Sequence, residues 1–397
     1  MITSLREAFN RNFSTEKYQA FLDYAAAQYQ LRPAFRIAET PVFIPEKMLR
    51  QLTDACEAIV DELVKPGFLD LSQGALLPGQ TVPGETAHPT FLTIDFGVCD
   101  DENGELHPQL IEIQGFPSLL FYQDFIAKTY KEFFGLPEGL THLFGGLTSE
   151  AYVEMLRELI VGDCSPEEVI LLEIEPLKQT TAIDFVVAKA YLGIPYVCIS
   201  ELIVKGDKVF YKNEKGQLVQ VRRIYNRIIF DELMQRADLP RSFDFTHAYD
   251  IQWVGHPNWF FRVSKHTLPL LNNPFVPPSF YVDQLEAWPE DLEQYVLKPL
   301  FSFAGQGVKI HVKPEDLDGL TDKHNYILQR KVHYQPVIPT PNEPSKAELR
   351  MLMIWPDHAA RPTLVTNLAR LSKGEMIGVR YNKDKDWVGG SAGFFYP

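Results

Sequence analysis

The chain has 397 residues, enough for two or three domains of ordinary size. Apolar residues make up 45% of it and charged residues 23%, which is the composition of a folded globular protein rather than a disordered chain. The formal net charge of −14 at pH 7 argues against nucleic acid and anionic membrane surfaces as partners, because both need clustered cations. A small anion can still bind, since a few local cations suffice.

The four cysteines are scattered and form no CxxC pair or Cys/His cluster of the kind that binds zinc. We expect them to be buried free thiols in a reducing compartment. The first residues carry charges and lack the apolar core of a signal peptide. No stretch approaches the ~18 uncharged apolar residues of a membrane helix. These features predict a cytoplasmic protein.

The N-terminal part is predicted to be helical. Residues 14–30 carry apolar side chains at helical spacing, and Ser14 is placed to cap that helix. A second helix is expected to begin at Pro45, since proline suits the first turn of a helix. Residues 65–90 are rich in Pro and Gly and predict a loop.

Strand signals begin at residue 91. Residues 91–98 and 110–114 flank the turn signal Asp101-Glu102-Asn103-Gly104, which predicts an antiparallel hairpin. The middle third alternates between strand and helix, as in α/β folds. A strand is predicted at 168–173, a helix at 181–192 and another strand at 195–200. A strand meander with turns at Gly206 and Gly216 follows.

The last third is predicted to be rich in strands. They cover residues 295–300, 307–312, 326–332, 349–355 and 363–371, with a Pro-rich loop at 335–344.

The early hairpin carries candidate metal ligands. Side chains alternate along a strand, so Asp95 lies on one face of its arm, and Glu112 and Gln114 share a face of the other. Ile111 and Ile113 are expected to point into the core. Two carboxylates and an amide oxygen brought together in this way suit Mg²⁺. A solvated acidic strand face explains the same residues without a metal.

A lysine and a glycine-bearing loop form a candidate phosphate site. Lys298 lies near the end of a predicted strand, and the loop that follows contains Ser302, Gly305, Gln306 and Gly307. Glycines let backbone amides approach phosphate oxygens, and lysine supplies a positive charge. The loop is neither a Walker motif nor GxGxxG. An ordinary β-hairpin with a glycine tip is the alternative.

Two further segments are weak signals by themselves. Lys265 opens a predicted helix, where a surface lysine is the simpler interpretation. Gln329, Lys331 and Val332 lie at a strand end that can offer backbone groups to an adenine edge.

Several arginines are candidates for charge neutralisation. Arg370 lies near the end of a late strand, where it can neutralise charge that develops on an acyl phosphate, although a solvated ion-pair face explains it as well. Lys178, Arg222 and Arg227 in the middle region are candidate contacts for an anionic substrate. Internal ion pairs explain the two arginines equally well.

The order of these segments resembles circularly permuted ATP-grasp ligases, including the glutathionylspermidine synthetase type. ATP-grasp ligases carry a first lysine, a second lysine before a glycine-containing flap, a hinge strand and then an Arg-x-Asp-Phe…Glu-x-Asn metal strand pair. The segments 264–265, 298–307 and 328–332 match the first three parts in order. The segment 93–114 is similar to the metal pair but stands near the N-terminus.

The resemblance implies an α+β chain with an ATP-grasp fold, in which two α+β subdomains grip ATP. It implies N-terminal helices at 1–90, the permuted metal-binding part at 91–125, an α/β substrate domain similar to a pre-ATP-grasp domain at 126–250, and the main nucleotide-binding region at 251–397. Lys265 and Lys298 would hold ATP phosphates, the 302–307 loop would form the flap, and Gln329, Lys331 and Val332 would lie near adenine. Asp95, Glu112 and Gln114 would bind Mg²⁺.

Two departures from the motif bear on activity. Thr93 stands where the family has an arginine, and Gln114 stands where it has an asparagine. Arg370 or Arg350 is expected to replace the missing arginine from another strand. The implied activity is an ATP-dependent carboxylate–amine ligase that forms an acyl phosphate from a small-molecule or peptide acid. A phosphotransferase on the same scaffold and a catalytically silent ATP-binding protein are the alternatives.

Overall fold

The computed structural model describes residues 1–100, 103–302, 305–378 and 381–397. It shows a mixed α+β chain, which confirms the α+β part of the predicted fold class. Asp101 and Glu102 of the predicted hairpin turn lie outside the described residues, as do two residues of the glycine-bearing loop, Phe303 and Ala304.

The N-terminal part is helical, as predicted. Its elements are α1 (Thr3–Asn12), α2 (Thr15–Tyr29), the short strand β1 (Val42–Phe43), α3 (Glu46–Leu63) and α4 (Phe68–Leu71). Ser14 caps α2, since its hydroxyl accepts a hydrogen bond from the backbone amide of Lys17 at 3.2 Å. The predicted loop at 65–90 contains α4 and a 3-10 turn, because Arg262 donates hydrogen bonds to the Leu69 carbonyl and the Ser72 hydroxyl and so holds the chain there.

The predicted hairpin is present and two helices follow it. These elements are β2 (Phe91–Asp100), β3 (Leu106–Gln114), α5 (Leu120–Phe134) and α6 (Ser149–Ile160). The sequence reasoning missed α5 and α6. In α5 ten residues are buried, so it lacks the single apolar face by which an amphipathic helix is recognised.

The middle region contains a parallel sheet and an antiparallel meander. Its elements are β4 (Val169–Glu173), α7 (Ala182–Leu192), β5 (Tyr196–Cys198), β6 (Ile203–Lys205), β7 (Lys208–Lys212), β8 (Leu218–Val221), β9 (Arg223–Asn226), α8 (Phe230–Gln235) and β10 (Gln252–Val254). Strands β10, β9, β4 and β5 form the parallel sheet in that order. Strands β6 to β8 form the meander, which turns at Gly206 and Gly216, both at positive φ.

The last third supplies one small antiparallel sheet and three strands of the largest sheet. Its elements are α9 (Asn258–Arg262), the 3-10 helix Lys265–Leu270, β11 (Ser279–Tyr281), β12 (Tyr295–Pro299), α10 (Pro314–Asp318), β13 (Tyr326–Arg330), β14 (Lys346–Ile354), β15 (Thr363–Ser372), β16 (Gly389–Ser391) and β17 (Gly393–Phe394). Strands β11, β13 and β12 form a small sheet in that order.

The strand predicted at 307–312 is not a regular strand. Within the described residues it makes one bridge to β12, between Lys309 and Leu297. The prediction was wrong because Gly305 and Gly307 both adopt positive φ, and the amide of Val308 bonds to the Gly305 carbonyl in a turn.

The largest sheet joins the beginning of the chain to its end. Its antiparallel strands run in the order β16, β15, β14, β2 and β3. One face packs against α3 through buried residues such as Ile94, Phe96, Leu349 and Met351. The alternate residues Asp95 and Arg350 therefore lie on the opposite face.

A bulge interrupts the pairing of β2 with β3. Asp95 pairs with Glu112, but the next residue, Phe96, pairs with Leu110, so Ile111 has no partner in the register. The prediction that Ile111 and Ile113 both enter the core was therefore half wrong. Ile113 is fully buried, whereas Ile111 is only partly buried.

No helix in the described ranges is long and apolar enough to cross a membrane.

Candidate functional site

Charged side chains of three neighbouring strands meet on the face of the large sheet opposite α3. Asp95 on β2 lies in register with Glu112 on β3 and with Arg350 on β14. Two residues along each strand, Thr93 pairs with Gln114, whose amide donates to Glu112 Oε1 at 2.8 Å. The hairpin therefore brings the three predicted metal ligands together.

Asp95 is held by two arginines. The Nε and NH2 groups of Arg350 each lie 2.6 Å from one carboxylate oxygen, a bidentate arrangement, and Arg370 NH2 lies 2.5 Å from Oδ2. Burial acts to raise the pKa of Asp95, but the charges of Arg350 and Arg370 hold it below its ordinary value. Asp95 is consequently ionised at neutral pH.

Glu348 on β14 completes this buried ionic network. It accepts hydrogen bonds from Arg370 and, at 2.8 Å, from the Tyr334 hydroxyl. Burial raises the pKa of Glu348 although Arg370 opposes that shift. A Cβ at Gly97 would lie 2.8 Å from the Tyr334 ring, so glycine is needed there for the ring to approach β2.

The two predicted lysines reach the same hairpin. Lys298 at the end of β12 donates to the Ile111 carbonyl at 2.9 Å and to the side chain of Gln329. Lys265 donates to the Ser302 carbonyl at 2.8 Å and lies 3.9 Å from Glu112 Oε2. Both lysines are buried, which rules out the surface interpretation of Lys265. Burial lowers the pKa of Lys298 to about 8, against the effect of nearby Glu112.

The glycine-bearing loop follows Lys298. Gly305 and Gly307 adopt φ values of 71° and 73°, a conformation that other residues seldom take. A Cβ at Gly305 would lie 3.4 Å from Met376, so this loop packs close to the segment after β15. Gln306 is exposed, and Ser302 is tied to the site through its carbonyl bond to Lys265.

The predicted adenine-binding segment is only partly directed at the site. The amide of buried Gln329 contacts Lys298 and, at 3.4 Å, the Leu110 carbonyl. Lys331 instead donates its ammonium to the Glu293 carbonyl at 2.6 Å. Val332 follows it and is partly buried. Gln329 thus positions Lys298 in this structure.

The candidate substrate residues fall into two groups. Arg227 is buried and donates to the carbonyls of Pro117 and Ser118. Arg350 donates to the Ser118 hydroxyl at 2.9 Å, so Arg227 adjoins the ionic network. Lys178, by contrast, has a side chain 76% exposed and pairs with Glu175. Arg222 is also exposed.

Sequence reasoning gave no role to three residues next to Arg227. Ser118 lies between the two arginines, as described above. Asp184 near the start of α7 accepts hydrogen bonds from the amides of Phe121 and Tyr122, at 2.9 and 2.8 Å, and so holds the start of α5. Glu173 ends β4, and burial raises its pKa to about 8. An acid at the carboxyl end of a predicted parallel strand is a signal that could have identified Glu173.

Comparison with known proteins identifies a fold and no sequence family. No family model and no curated protein matches the sequence. A solved structure of a glutathione synthetase-like effector, GSS30 from Globodera pallida in its apo form, aligns with a TM-score of 0.57 and 11% sequence identity over 96% of both chains. The chain shares its overall fold with that effector. Because the match extends over nearly all of both chains, it concerns the whole architecture and not one sheet.

The residues predicted to hold Mg²⁺ do not fit that ion well. Both oxygens of Asp95 already accept hydrogen bonds from guanidinium groups, and Glu112 lies within 4 Å of Arg350 and Lys265. No group of three or more His, Cys, Asp or Glu side chains in the described part of the chain is arranged to hold a metal ion. In this structure Asp95 therefore pairs with two arginines.

Proposed function

We propose that the chain is an ATP-dependent carboxylate–amine ligase with an ATP-grasp nucleotide site in circularly permuted order. The observation that supports this is that two lysines from the last third of the chain reach the early hairpin. Lys298 donates to the Ile111 carbonyl, and Lys265 lies beside Glu112. These are the parts that the resemblance to permuted ligases predicts for one site. The glutathione synthetase-like effector that shares the fold supports the same class.

The proposed reaction has two steps. A carboxylate oxygen of the acid attacks the γ-phosphorus of ATP, the bond from that phosphorus to the β–γ bridging oxygen breaks, and ADP leaves. The amine then attacks the acyl carbon, the carbon–oxygen bond to phosphate breaks, and the nitrogen loses a proton to solvent to give an amide. The protein contributes orientation and charge neutralisation.

Each cation has a role in this proposal. An ammonium group has three donors, and Lys298 uses two of them on Ile111 and Gln329, so one remains for a phosphate oxygen. Lys265 lies beside it and binds the same phosphates. The glycine loop brings backbone amides close to them. Arg227, next to Ser118, orients the carboxylate of the acid substrate.

Arg350 supplies the cation that Thr93 does not. Thr93 is 2% exposed, and its hydroxyl donates to the Phe116 carbonyl at 3.0 Å, so it carries no charge into the site. Arg350 lies on the neighbouring strand, directly across from Asp95. Arg350 and Arg370 together neutralise the charge that develops on the acyl phosphate.

A catalytically silent ATP-binding protein is the second candidate. The observation that favours it is the bidentate pairing of Arg350 with Asp95, which already uses the guanidinium edge that a transition state would need. In that case ATP binds, but no acid becomes activated.

Product analysis separates these candidates. Purified protein is incubated with ATP, a pool of acids and a pool of amines, with and without Mg²⁺. A ligase releases ADP and free phosphate only when both pools are present, and the amide appears in the mass spectrum. A phosphotransferase leaves phosphate on an acceptor, and a silent protein gives a thermal shift with ATP but no product. The Lys298→Met variant should bind ATP more weakly and turn over less, whereas Lys309→Met, at a lysine paired with Asp316, should do neither.

A further inference from the structure

The charged groups of the candidate site carry a net positive charge. These groups form one cluster of ion pairs, so their charges can be summed. The cations outnumber the carboxylates by one. The cations are Lys265, Lys298, Arg350 and Arg370, and the carboxylates are Asp95, Glu112 and Glu348. In a chain whose formal net charge is −14, this local excess of positive charge favours an anionic ligand.

Two buried polar atoms of the site that lack a hydrogen-bond partner also favour an anionic ligand. The Nε group of Arg370 and the hydroxyl of Ser302 are both buried, and neither has a hydrogen-bond partner within the described residues. A guanidinium N–H can only donate, and a hydroxyl can donate as well as accept. A buried donor without a partner is costly, so a ligand rich in acceptor oxygens would stabilise this arrangement.

The positively charged groups around Glu112 disfavour the binding of a divalent cation. Glu112 is the carboxylate most open to solvent, with 21% of its side chain exposed. Its Oε1 accepts from Gln114 at 2.8 Å and lies 3.8 Å from Arg350, while its Oε2 lies 3.9 Å from Lys265. A metal bound to Glu112 would therefore stand next to an arginine and a lysine, and like charges at that separation repel.

We propose that this site binds the fully ionised triphosphate of a nucleotide without a divalent cation, and that Lys265, Lys298, Arg350 and Arg370 supply the positive charge that Mg²⁺ supplies elsewhere. The proposal rests on the proposed function for the location of the triphosphate. It assigns Asp95 and Glu348 to holding the arginines in place. It also implies that the negative charge of Glu112 weakens the binding of a triphosphate.

Calorimetric titration of ATP into the full-length protein tests the proposal, first with excess EDTA and then with excess Mg²⁺. We expect the affinity in EDTA to equal or exceed that in Mg²⁺, because Mg²⁺ lowers the charge of ATP. Binding in EDTA should also weaken as salt is added, since the contacts are ionic. Binding that is tighter with Mg²⁺ than in EDTA would overturn this proposal and leave the nucleotide site in place. Binding under neither condition would overturn the proposed function itself.

A charge-removing variant gives an independent readout. Glu112→Gln keeps the shape of a partly exposed side chain, so the fold should persist, which circular dichroism and the melting temperature verify. We expect ATP to bind Glu112→Gln more tightly than wild type in EDTA. The matched control is Glu105→Gln, an exposed acid at the start of the second hairpin arm that pairs with Lys47 and should leave affinity unchanged. A loss of affinity in Glu112→Gln confined to Mg²⁺ would identify a metal ligand and overturn the proposal.

Discussion

Lys298 lies 2.9 Å from the carbonyl oxygen of Ile111, a residue 187 positions earlier in the chain. The contact joins the small β11–β13–β12 sheet to the large sheet. Ile111 is the bulged residue of β3 and has no partner in the strand register. The bulge therefore presents a carbonyl that a lysine from the other sheet can reach.

The first prediction concerns this contact. Lys298→Met removes one phosphate-binding charge while keeping most of the length of the side chain. We expect ATP affinity to fall by about 10- to 100-fold, the effect of losing one or two charge-assisted hydrogen bonds. Titration calorimetry measures the change, with Lys309→Met as the control. An unchanged affinity would place the triphosphate elsewhere.

The second prediction concerns the pH dependence of stability without ligand. The pKa of Lys298 is about 8 in the folded chain and 10.5 when unperturbed. Between these values the unfolded chain binds more protons, so this lysine makes the free energy of unfolding rise with pH from about 8 to about 10.5. Below pH 8 it is charged in both states, and its contribution is constant.

Denaturant unfolding of wild type and Lys298→Met across that range isolates the effect. The difference between the two free energies of unfolding should move in favour of wild type as the pH rises through 8. Lys309→Met, at a lysine with a half-exposed side chain, is the control. A flat difference for Lys298→Met would show that burial does not perturb its pKa.

The sequence predicted the hairpin well, because strand alternation and an Asn-Gly turn are local signals. The α+β class was confirmed for the same reason. The permuted order, the domain boundaries and the roles of the site residues stay predictions. Their placement in one site was foreseen only through the resemblance to ATP-grasp ligases.

The ionic network could not be read from the sequence. Arg350 and Asp95 are paired because β14 lies next to β2, and strand order in a sheet is a tertiary property. The bulge at Ile111 depends in the same way on how β3 pairs with β2. Tyr334, which bonds Glu348, lies in a segment just after β13 where no periodic pattern marks it.

The third prediction tests the Asp95–Arg350 pair. Arg350→Met leaves the buried carboxylate with Arg370 alone. Breaking a buried ion pair from one side costs about 3–5 kcal/mol, so we expect a loss of folding free energy of that order. The double variant Asp95→Asn/Arg350→Met should recover part of it, since no unpaired charge then remains. Urea denaturation provides both values.

Arg361→Met is the matched control for that measurement. Arg361 pairs with Glu57 and Asp61 at the surface, so its removal should cost less than about 1 kcal/mol. If Arg350→Met proved no more costly than Arg361→Met, Asp95 would not depend on the arginine, and its assignment as a positioning residue would fail.

The fourth prediction concerns Thr93. Thr93→Arg reintroduces the arginine of the ATP-grasp motif at a position that is 2% exposed. The larger, charged side chain has no space there and removes the hydrogen bond to the Phe116 carbonyl. We expect a lower melting temperature and no gain in turnover, whereas Thr93→Val should cost only about 1 kcal/mol. A stable Thr93→Arg protein with raised ligase activity would contradict the role given to Arg350.

The fifth prediction concerns Glu173 at the carboxyl end of β4. Burial raises its pKa to about 8 from an ordinary value of 4.5. The backbone amide of Ile174, 2.8 Å from Oε1, opposes this shift because it stabilises the ionised carboxylate. Between pH 4.5 and 8 the folded chain therefore binds more protons than the unfolded one. Its contribution to stability is full below about pH 4.5 and is lost as the pH rises to about 8.

Glu173→Gln removes this titration, since an amide is neutral throughout. The variant should match wild type near pH 4.5 and exceed its melting temperature by ~2 °C or more at pH 8, where wild type must either bury a charge or unfold to release the proton. Differential scanning calorimetry at both pH values measures the shift, and Glu7→Gln on α1, an exposed acid, is the control. A stabilisation equal at both pH values would trace the effect to packing, because only a titrating group makes it depend on pH.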